Sequence, residues 1–425
     1  MRTSKLFIAG ILCFSTLGLV SCGEKTEDSP YTELTPDEHK AKLEEIGLSI
    51  ANKVNPEVQK NLVKTFDAFI EYSDGLDIED NDEVSRNVQE FAKTLKSICE
   101  ENSLGKVSDL SRATDSELYS LARYAGIYTL AGEDEYGYEY IWNRTDASDK
   151  LEFRFRVDNK DAVIQITKEG SEQKFDAYDD GTRYSVMVPE VAKVTVTYDG
   201  KTELTVVCKM KVDNSAKTVV SDITVDANGY KYEEHLDVNS SKASTNLAFS
   251  IDGTKIVEAN ASINGKDMTN GDVIGDNVDD ETIQNLFGSG QVEVKVYGDK
   301  DGVILKGSVS SVKELVDKLD RLDDVDWEEE NTMAHQTKIA EAYNEYLKGE
   351  MYYTNGDNVI ARFNMQAYDD SDEWGEDYDI EPIITFASDN SKFSFESYFD
   401  DISFEKLVDK VEDLGDEFDA YIDFN

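Results

Sequence analysis

Cysteine and histidine, on which most metal and redox sites depend, are scarce in this sequence. The 425 residues include four cysteines and three histidines. No cysteine belongs to a CxxC pair and no histidine to an HExxH motif, so the sequence has no zinc or redox signature. The histidines (His39, His235 and His335) lie far apart in different predicted elements, which argues against a metal site or a Ser-His-Asp triad.

Basic residues are few beside the acidic ones. The chain has 43 Lys and Arg against 90 Asp and Glu, a formal net charge of −47. Such a field repels nucleic acid, so we predict no nucleic-acid partner. Because a glycosidase pair can be drawn anywhere among so many carboxylates, the acids by themselves do not indicate an enzyme. We predict no catalytic residues, no metal and no cofactor.

The densest acidic group surrounds Trp374, between Asp369 and Asp379. Oxygen ligands of this kind can bind calcium, but their spacing does not follow the twelve-residue EF-hand loop. We predict a solvated acidic loop here, with calcium binding as the alternative.

Long apolar runs are also missing, apart from one at the very start of the chain. Arg2 and Lys5 precede the apolar run Leu6–Val20, which is short for a membrane span and is typical of a secretory signal. Leu19-Val20-Ser21-Cys22 resembles the lipobox of bacterial lipoproteins. That resemblance implies cleavage before Cys22 and acylation of its thiol, giving a stable membrane anchor. The alternative is an ordinary signal peptide with a chance cysteine.

The residues that follow Cys22 bear on the destination of the chain. Gly23, rather than aspartate, comes next, and Glu24, Glu27 and Asp28 form an acidic segment. This segment resembles the export signal of surface lipoproteins of Bacteroidota. The resemblance implies a lipid-anchored protein of the outer membrane, on the cell surface or the periplasmic face.

Two cysteines remain once Cys13, in the signal, and Cys22 are set aside. Cys99 lies at the edge of the apolar face of a predicted helix, and Cys208 lies on the apolar face of a predicted strand. We predict two buried free thiols, and a single disulfide between them is the alternative.

A helical period characterises the start of the mature chain. Thr35-Pro36-Asp37-Glu38 has the form of a capping box with proline at the first helical position. Asn55-Pro56 resembles a second cap, and residues 84–98 place apolar side chains at alternating spacings of four and three. Similar boxes or patterns predict helices after Ser311 and between 404 and 418.

Strand patterns dominate after about residue 134. Apolar and polar residues alternate in 151–157, 193–198 and 204–212, which predicts strands with one apolar face. Pairs such as Asp199-Gly200 and Asn264-Gly265 separate such runs and favour tight hairpins, because they accept positive φ. A series of about ten strands predicts an antiparallel meander that must curl on itself or pack on helices.

One turn also resembles a phosphate-binding loop. Asp199-Gly200-Lys201-Thr202 matches the end of that motif, but Thr195 stands where its first glycine belongs. We therefore interpret the segment as a hairpin.

Together these patterns predict an α+β fold with an N-terminal helical domain, a long curved antiparallel β-meander and a mixed β-hairpin/helix C-terminal region. The predicted boundaries are a signal peptide at 1–21, a tether at 22–34, the helical domain at 35–128, the meander at 129–270 and the C-terminal region at 271–425. A long meander beside helices resembles the half-barrel of periplasmic lipoprotein carriers, at the level of pattern alone.

Four aromatic residues stand at alternate positions in the stretch EYGYEYIWNR. If this stretch is a strand, Tyr136, Tyr138, Tyr140 and Trp142 share one face. We favour a core where the sheet packs on helices. The alternative is a candidate ligand-binding row for a sugar or an apolar molecule.

Three functions remain compatible with the sequence. The first is a non-enzymatic, membrane-anchored binding or interaction module for a glycan, an apolar ligand or a protein partner. The second is a carrier of a hydrophobic ligand or lipid, which predicts a cavity between the sheet and the helices. The third is a secreted hydrolase, which requires two carboxylates facing each other in a cleft.

Overall fold

The computed structural model describes residues 32–74, 125–133, 140–179, 182–213, 217–266, 268, 287–323, 332–356, 358–371, 375–386, 390–399 and 403–421. These residues form one sheet of 16 strands with helices at both ends of the sequence. The predicted α+β class, with its N-terminal helical part, long meander and mixed C-terminal part, is confirmed. The signal peptide, Cys22 and the helix predicted at 84–98 lie outside the described residues.

The helices begin where the sequence places their caps. Thr35 Oγ1 accepts a hydrogen bond from Glu38 N at 3.3 Å and Thr35 N donates to Glu38 Oε2 at 2.8 Å, as in a capping box. Ser311 Oγ accepts from Glu314 N at 3.2 Å. The helices are α1 (Pro36–Ala51), α2 (Lys60–Asp74), α3 (Val312–Asp323), α4 (Met333–Tyr346), α5 (Phe395–Tyr398) and α6 (Glu405–Asp419), and a 3₁₀ turn (Pro56–Gln59) joins α1 to α2.

The strands follow one another along the chain as the alternation predicts. They are β1 (Gly126–Glu133), β2 (Tyr140–Thr145), β3 (Lys150–Val157), β4 (Lys160–Asp179), β5 (Thr182–Tyr198), β6 (Lys201–Asp213), β7 (Thr218–Ala227), β8 (Tyr230–Val238), β9 (Lys242–Ile251), β10 (Thr254–Gly265), β11 (Phe287–Tyr297), β12 (Gly302–Val309), β13 (Leu347–Tyr353), β14 (Val359–Asp369), β15 (Tyr378–Phe386) and β16 (Lys392–Ser394).

From β3 to β16 each strand pairs antiparallel with the next, so the sheet is a meander. The exception is β1, which lies between β2 and β3 and runs parallel to β3. Pairing of β10 with β11 continues the sheet across the predicted boundary at residue 270.

Hairpin turns join many of the strands. Asp199 and Gly200 have φ values of 52° and 76°, which confirms the hairpin interpretation of that segment. Asp158-Asn159 forms a similar turn, with φ values of 51° and 62°. The turn expected at Asn264-Gly265 is wrong: both residues lie within β10, where Gly265 pairs with Phe287.

One face of the sheet, the inner face, is the one that packs on α1 and α2. Near α2, the ring of Phe69 lies 4.9 Å from that of Phe153 and 5.6 Å from that of Phe155. Near α1, Ile46 and Ile50 belong to a second buried cluster, which includes Met351 and Phe386. The opposite face, the outer face, carries the polar positions that alternate with these residues.

Two amide side chains complete the sheet where neighbouring strands diverge. The β13–β14 register ends at Gly349 and Phe363, and beyond it Asn344 Nδ2 donates to Met365 O at 2.8 Å while Met365 N donates to Asn344 Oδ1 at 2.7 Å. Gln173 bonds two residues of β6 in a related way, since its Nε2 donates to Met210 O and its Oε1 accepts from Val212 N. Each amide therefore satisfies backbone groups on a strand edge that the neighbouring strand does not reach.

Asn344→Ala should lower the free energy of unfolding by about 1–3 kcal/mol, because both backbone groups of Met365 lose their partner at a partly buried edge. Urea melts of the variant and the parent measure the effect. Asn260→Ala, at an exposed position of β10, is the control and should change stability by less than about 0.5 kcal/mol. Equal effects of the two substitutions would contradict the proposed edge cap.

Candidate functional site

A groove of about 660 Å³ lies on the outer face, across β1, β3, β4 and β5. It is open to solvent on the side away from α2, and most of its lining residues alternate along the strands with those that point toward α2. Eight of its twelve lining residues have polar side chains, among them Thr129, Glu152, Arg154, Gln165, Thr195 and Thr197. The site is therefore a polar recess on a sheet surface and not a cavity between sheet and helices.

Glu152 forms the fixed centre of the groove and is only 3% exposed. Lys150 Nζ donates to its carboxylate at 2.8 Å, and Gln165 Nε2 and Arg154 Nε also donate to it. Burial alone would raise the pKa of Glu152, but these hydrogen bonds outweigh it, so its pKa lies below the ordinary value. Glu152 is thus an ionised, fully engaged carboxylate.

The two arginines of β3 present their guanidinium groups toward solvent. The side chains of Arg154 and Arg156 are 51% and 67% exposed. Arg154 holds Glu152, while Arg156 bonds the backbone oxygen of Asn159 at 2.8 Å and lies 3.3 Å from Asp161. Since each guanidinium has five N–H donors, both retain donors for a ligand.

The groove does not contain a glycosidase pair of carboxylates. In the β3–β4 register, Gln165 lies opposite Glu152 and Asp161 lies opposite Arg156. The two acids are therefore four positions apart along the strands, with about 13 Å between their backbone positions, whereas glycosidases hold their two carboxyl groups roughly 5–9.5 Å apart.

The aromatic row is divided between the core and the edge of the described structure. Trp142 is 5% exposed and its Nε1 donates to Tyr72 O at 3.1 Å. Tyr140 is half-buried, with its ring 4.8 Å from that of Tyr72. Tyr136 and Tyr138 lie outside the described residues. The inner-face position of Trp142 fits the core interpretation and offers no ring to a ligand.

The remaining candidates are structural or exposed. Cys208 is a free, half-buried thiol on the inner face, and Cys99 lies outside the described residues. His39 and His335 are buried, whereas His235 lies on the outer face and bonds Asp222 at 2.7 Å. In the part of the chain that the structure describes, no group of three or more His, Cys, Asp or Glu side chains could hold a metal ion.

The acidic loop near Trp374 is exposed where the structure describes it, at 369–371 and 375–379. Ser371 bridges the loop, because its N donates to Asp369 Oδ1 and its Oγ donates to Asp377 O. The calcium alternative remains a prediction.

Sequence reasoning missed the groove itself. A glutamate flanked by Lys150 and Arg154 on the polar side of a strand was a weak signal for it. Gln165 and Thr195 come from two other strands, and only the register places them beside Glu152.

The fold and the groove define an open-sheet α+β protein with a polar recess on the outer face of the sheet. Comparisons with protein-family models, with curated proteins and with solved structures found no match to this chain. Among the described residues, none of the helices has the length and apolar character needed to cross a lipid bilayer.

Proposed function

We propose that this protein is a lipid-anchored, non-enzymatic binding module of the outer membrane that holds a polar ligand in the outer-face groove. The observation that carries the proposal is the construction of the groove. Its floor is an ion-paired, hydrogen-bonded network around Glu152, and hydroxyl and amide groups surround it. Preformed recesses with a few fixed polar groups are typical of ligand sites.

The attachment of the tether supports display of this groove away from the membrane. Thr32 is fixed to the body, since its N donates to Val359 O at 3.1 Å and its Oγ1 lies 2.8 Å from His39 Nε2. Ten residues from Cys22 to Thr32 span at most about 35 Å. The tether therefore joins the folded body at the start of β14, where Thr32 bonds Val359.

The groove lies far from that attachment point. Eleven strand spacings separate β14 from β3 in the sheet order, roughly 50 Å along the sheet at about 4.8 Å per spacing. A protein tethered at β14 can thus expose β3–β5 to extracellular or periplasmic ligands.

Neither alternative gains support from the groove. A hydrophobic-ligand carrier predicts a cavity between sheet and helices, whereas the groove is polar and lies on the outer face. A hydrolase requires closely spaced reactive groups, whereas Glu152 is engaged by three donors and Asp161 is distant.

Cys22→Ala should release the protein from the membrane fraction into the soluble fraction, because acylation requires the thiol. Fractionation of cells expressing parent and variant, followed by immunoblotting, measures the change. Cys208→Ala is the control and should stay with the membranes. Retention of Cys22→Ala in membranes after high-salt washes would overturn the lipoprotein proposal.

The binding site is tested separately with an array of neutral and acidic oligosaccharides. Parent protein should bind at least one class, and Thr195→Trp, which fills the groove, should abolish that binding. Thr224→Trp places the same ring elsewhere on the outer face and should bind like the parent. Unchanged binding by Thr195→Trp would remove the groove as the site.

A further inference from the structure

A strip of cationic side chains continues the groove along the outer face, against the strongly negative charge of the chain. Outward positions on β3, the first half of β4, the second half of β5 and β6 up to Lys211 carry six cations and three acids. The cations are Lys150, Arg154, Arg156, Lys193, Lys209 and Lys211, and the acids are Glu152, Asp161 and Glu169. The local charge is thus positive on a chain of net charge −47.

Three of these cations are exposed and unpaired. Among the described residues, Lys193, Lys209 and Lys211 have no ion-pair or hydrogen-bond partner for their ammonium groups. Elsewhere on the same face, Lys231 lies 2.6 Å from Glu233 and Lys295 lies 2.7 Å from Glu293. The ammonium groups of these three lysines form no ion pair within the described residues, so they are available to an anionic ligand in the groove.

The register makes the strip continuous with the groove. Lys193 is opposite Thr167, which is opposite Lys150, and Thr195 on the groove floor is its next outward neighbour on β5. Lys209 lies opposite Val191, one outward position beyond Lys193. From Arg154 to Lys211 the path measures roughly 30 Å, from strand spacings of about 4.8 Å and about 6.8 Å per pair of residues.

We propose that the groove and strip bind an anionic oligosaccharide, a chain of carboxylate-bearing sugars. The inference rests on the proposed binding function and names its ligand class. Guanidinium forks match carboxylate geometry, and lysine ammonium groups interact with further carboxylates along the chain. Threonine hydroxyls and the Gln165 amide match sugar hydroxyls, which a simple anion lacks.

The surroundings of the strip disfavour larger polyanions. The outer face of the adjoining β7 and β8 carries four acids, namely Asp222, Asp226, Glu233 and Asp237. A nucleic-acid duplex or an anionic membrane would be brought against these carboxylates, whereas a narrow oligosaccharide lies between them and β1.

The test uses the full mature chain and isothermal titration with hexagalacturonate, with its methyl ester as the neutral partner of the same shape. The acid should bind and the ester should bind at least tenfold more weakly. Binding of the acid should weaken by tenfold or more between 50 and 300 mM NaCl, because screening reduces the attraction. Lys193→Gln/Lys209→Gln should weaken it by at least tenfold.

Lys231→Gln/Lys295→Gln carries the same change in net charge on the same face and should bind within twofold of the parent. Both double variants are first compared with the parent by thermal melting, which separates a loss of binding from a loss of folding, because Lys193 and Lys209 are exposed whereas Lys231 and Lys295 are half-buried. Equal binding of acid and ester would overturn the anionic inference and leave the polar-ligand function standing.

Three further outcomes would overturn the inference. They are no binding of hexagalacturonate, equal losses in the two double variants, and tighter binding to a DNA duplex or to vesicles with anionic lipid. The oligosaccharide array with Thr195→Trp decides separately whether the groove binds any polar ligand.

Discussion

Trp142→Ala should lower the free energy of unfolding by roughly 3–5 kcal/mol, the usual loss for a large aromatic truncated in a core. Trp142 is 5% exposed, and its ring centroid lies 6.0 Å from that of Phe69 and 6.1 Å from that of Phe153. Its removal leaves a cavity between β2, β3 and α2. The indole N–H that bonds Tyr72 O is lost as well. Denaturant melts of variant and parent measure the loss.

The neighbouring residue supplies the control. Ile141 lies next to Trp142 but is 46% exposed, so Ile141→Ala should change stability by about 0.5 kcal/mol or less. Tyr140→Ala, half-buried against Tyr72, should fall between the two. A near-neutral Trp142→Ala would show that the ring is not a core element and would return the aromatic row to the list of ligand sites.

Lowering the pH from 7 to 4.5 should cost the parent protein roughly 2–3 kcal/mol through His39 alone. Burial lowers the pKa of His39 to about 4, and Lys42 adds to this effect while Glu38 opposes it. Its neutral ring lies between Tyr353 Oη, 2.7 Å from Nδ1, and Thr32 Oγ1, 2.8 Å from Nε2. The difference of about 2.5 from the ordinary value corresponds to about 3 kcal/mol in total.

The sign of this change in stability follows from which state binds a proton at His39. Between about pH 6.5 and pH 4 the unfolded chain binds a proton at His39 that the folded chain excludes, so stability is lost as the pH falls through this window. Above it neither state is protonated, and below it both are.

His39→Gln should therefore lose roughly 2–3 kcal/mol less than the parent between pH 7 and pH 4.5, although it is less stable at pH 7. The carboxylates titrate in both proteins, so their contributions largely cancel in this difference. Parallel pH profiles for His39→Gln and the parent would contradict a buried neutral imidazole.

The hydrogen bond between Thr32 and His39 also connects the tether to this titrating side chain. Thr32 bonds both His39 and the backbone of Val359, so the histidine that excludes the proton also fixes the first described residue of the tether. The anchor of the proposed lipoprotein is thereby joined to the core near α1 and to β14, far from the groove.

The caps, hairpins and strand faces of this protein could be predicted from its sequence, because they depend on interactions between neighbouring residues. The capping box at Thr35, the side-chain N-cap at Ser311 and the hairpin at Asp199-Gly200 depend on side chains within a few residues, so their patterns predicted elements that the structure confirms. The alternation of Phe153 and Phe155 with Arg154 and Arg156 likewise indicated which face of β3 is buried. These features rest on interactions that neighbouring residues make whatever the rest of the chain does.

Tertiary structure alone decided the features that join distant residues. Glu152 looks like any outward acid in the sequence, and it is buried because the register places Gln165 beside it and Lys150 and Arg154 fold over it. Asn344 caps β14 only because β13 begins at Leu347 and its pairing with β14 extends no further than Gly349. The cationic strip exists because strand pairing brings lysines and arginines from β3, β5 and β6 to one face. Pairing across strands sets such contacts, and no pattern within a single strand contains them.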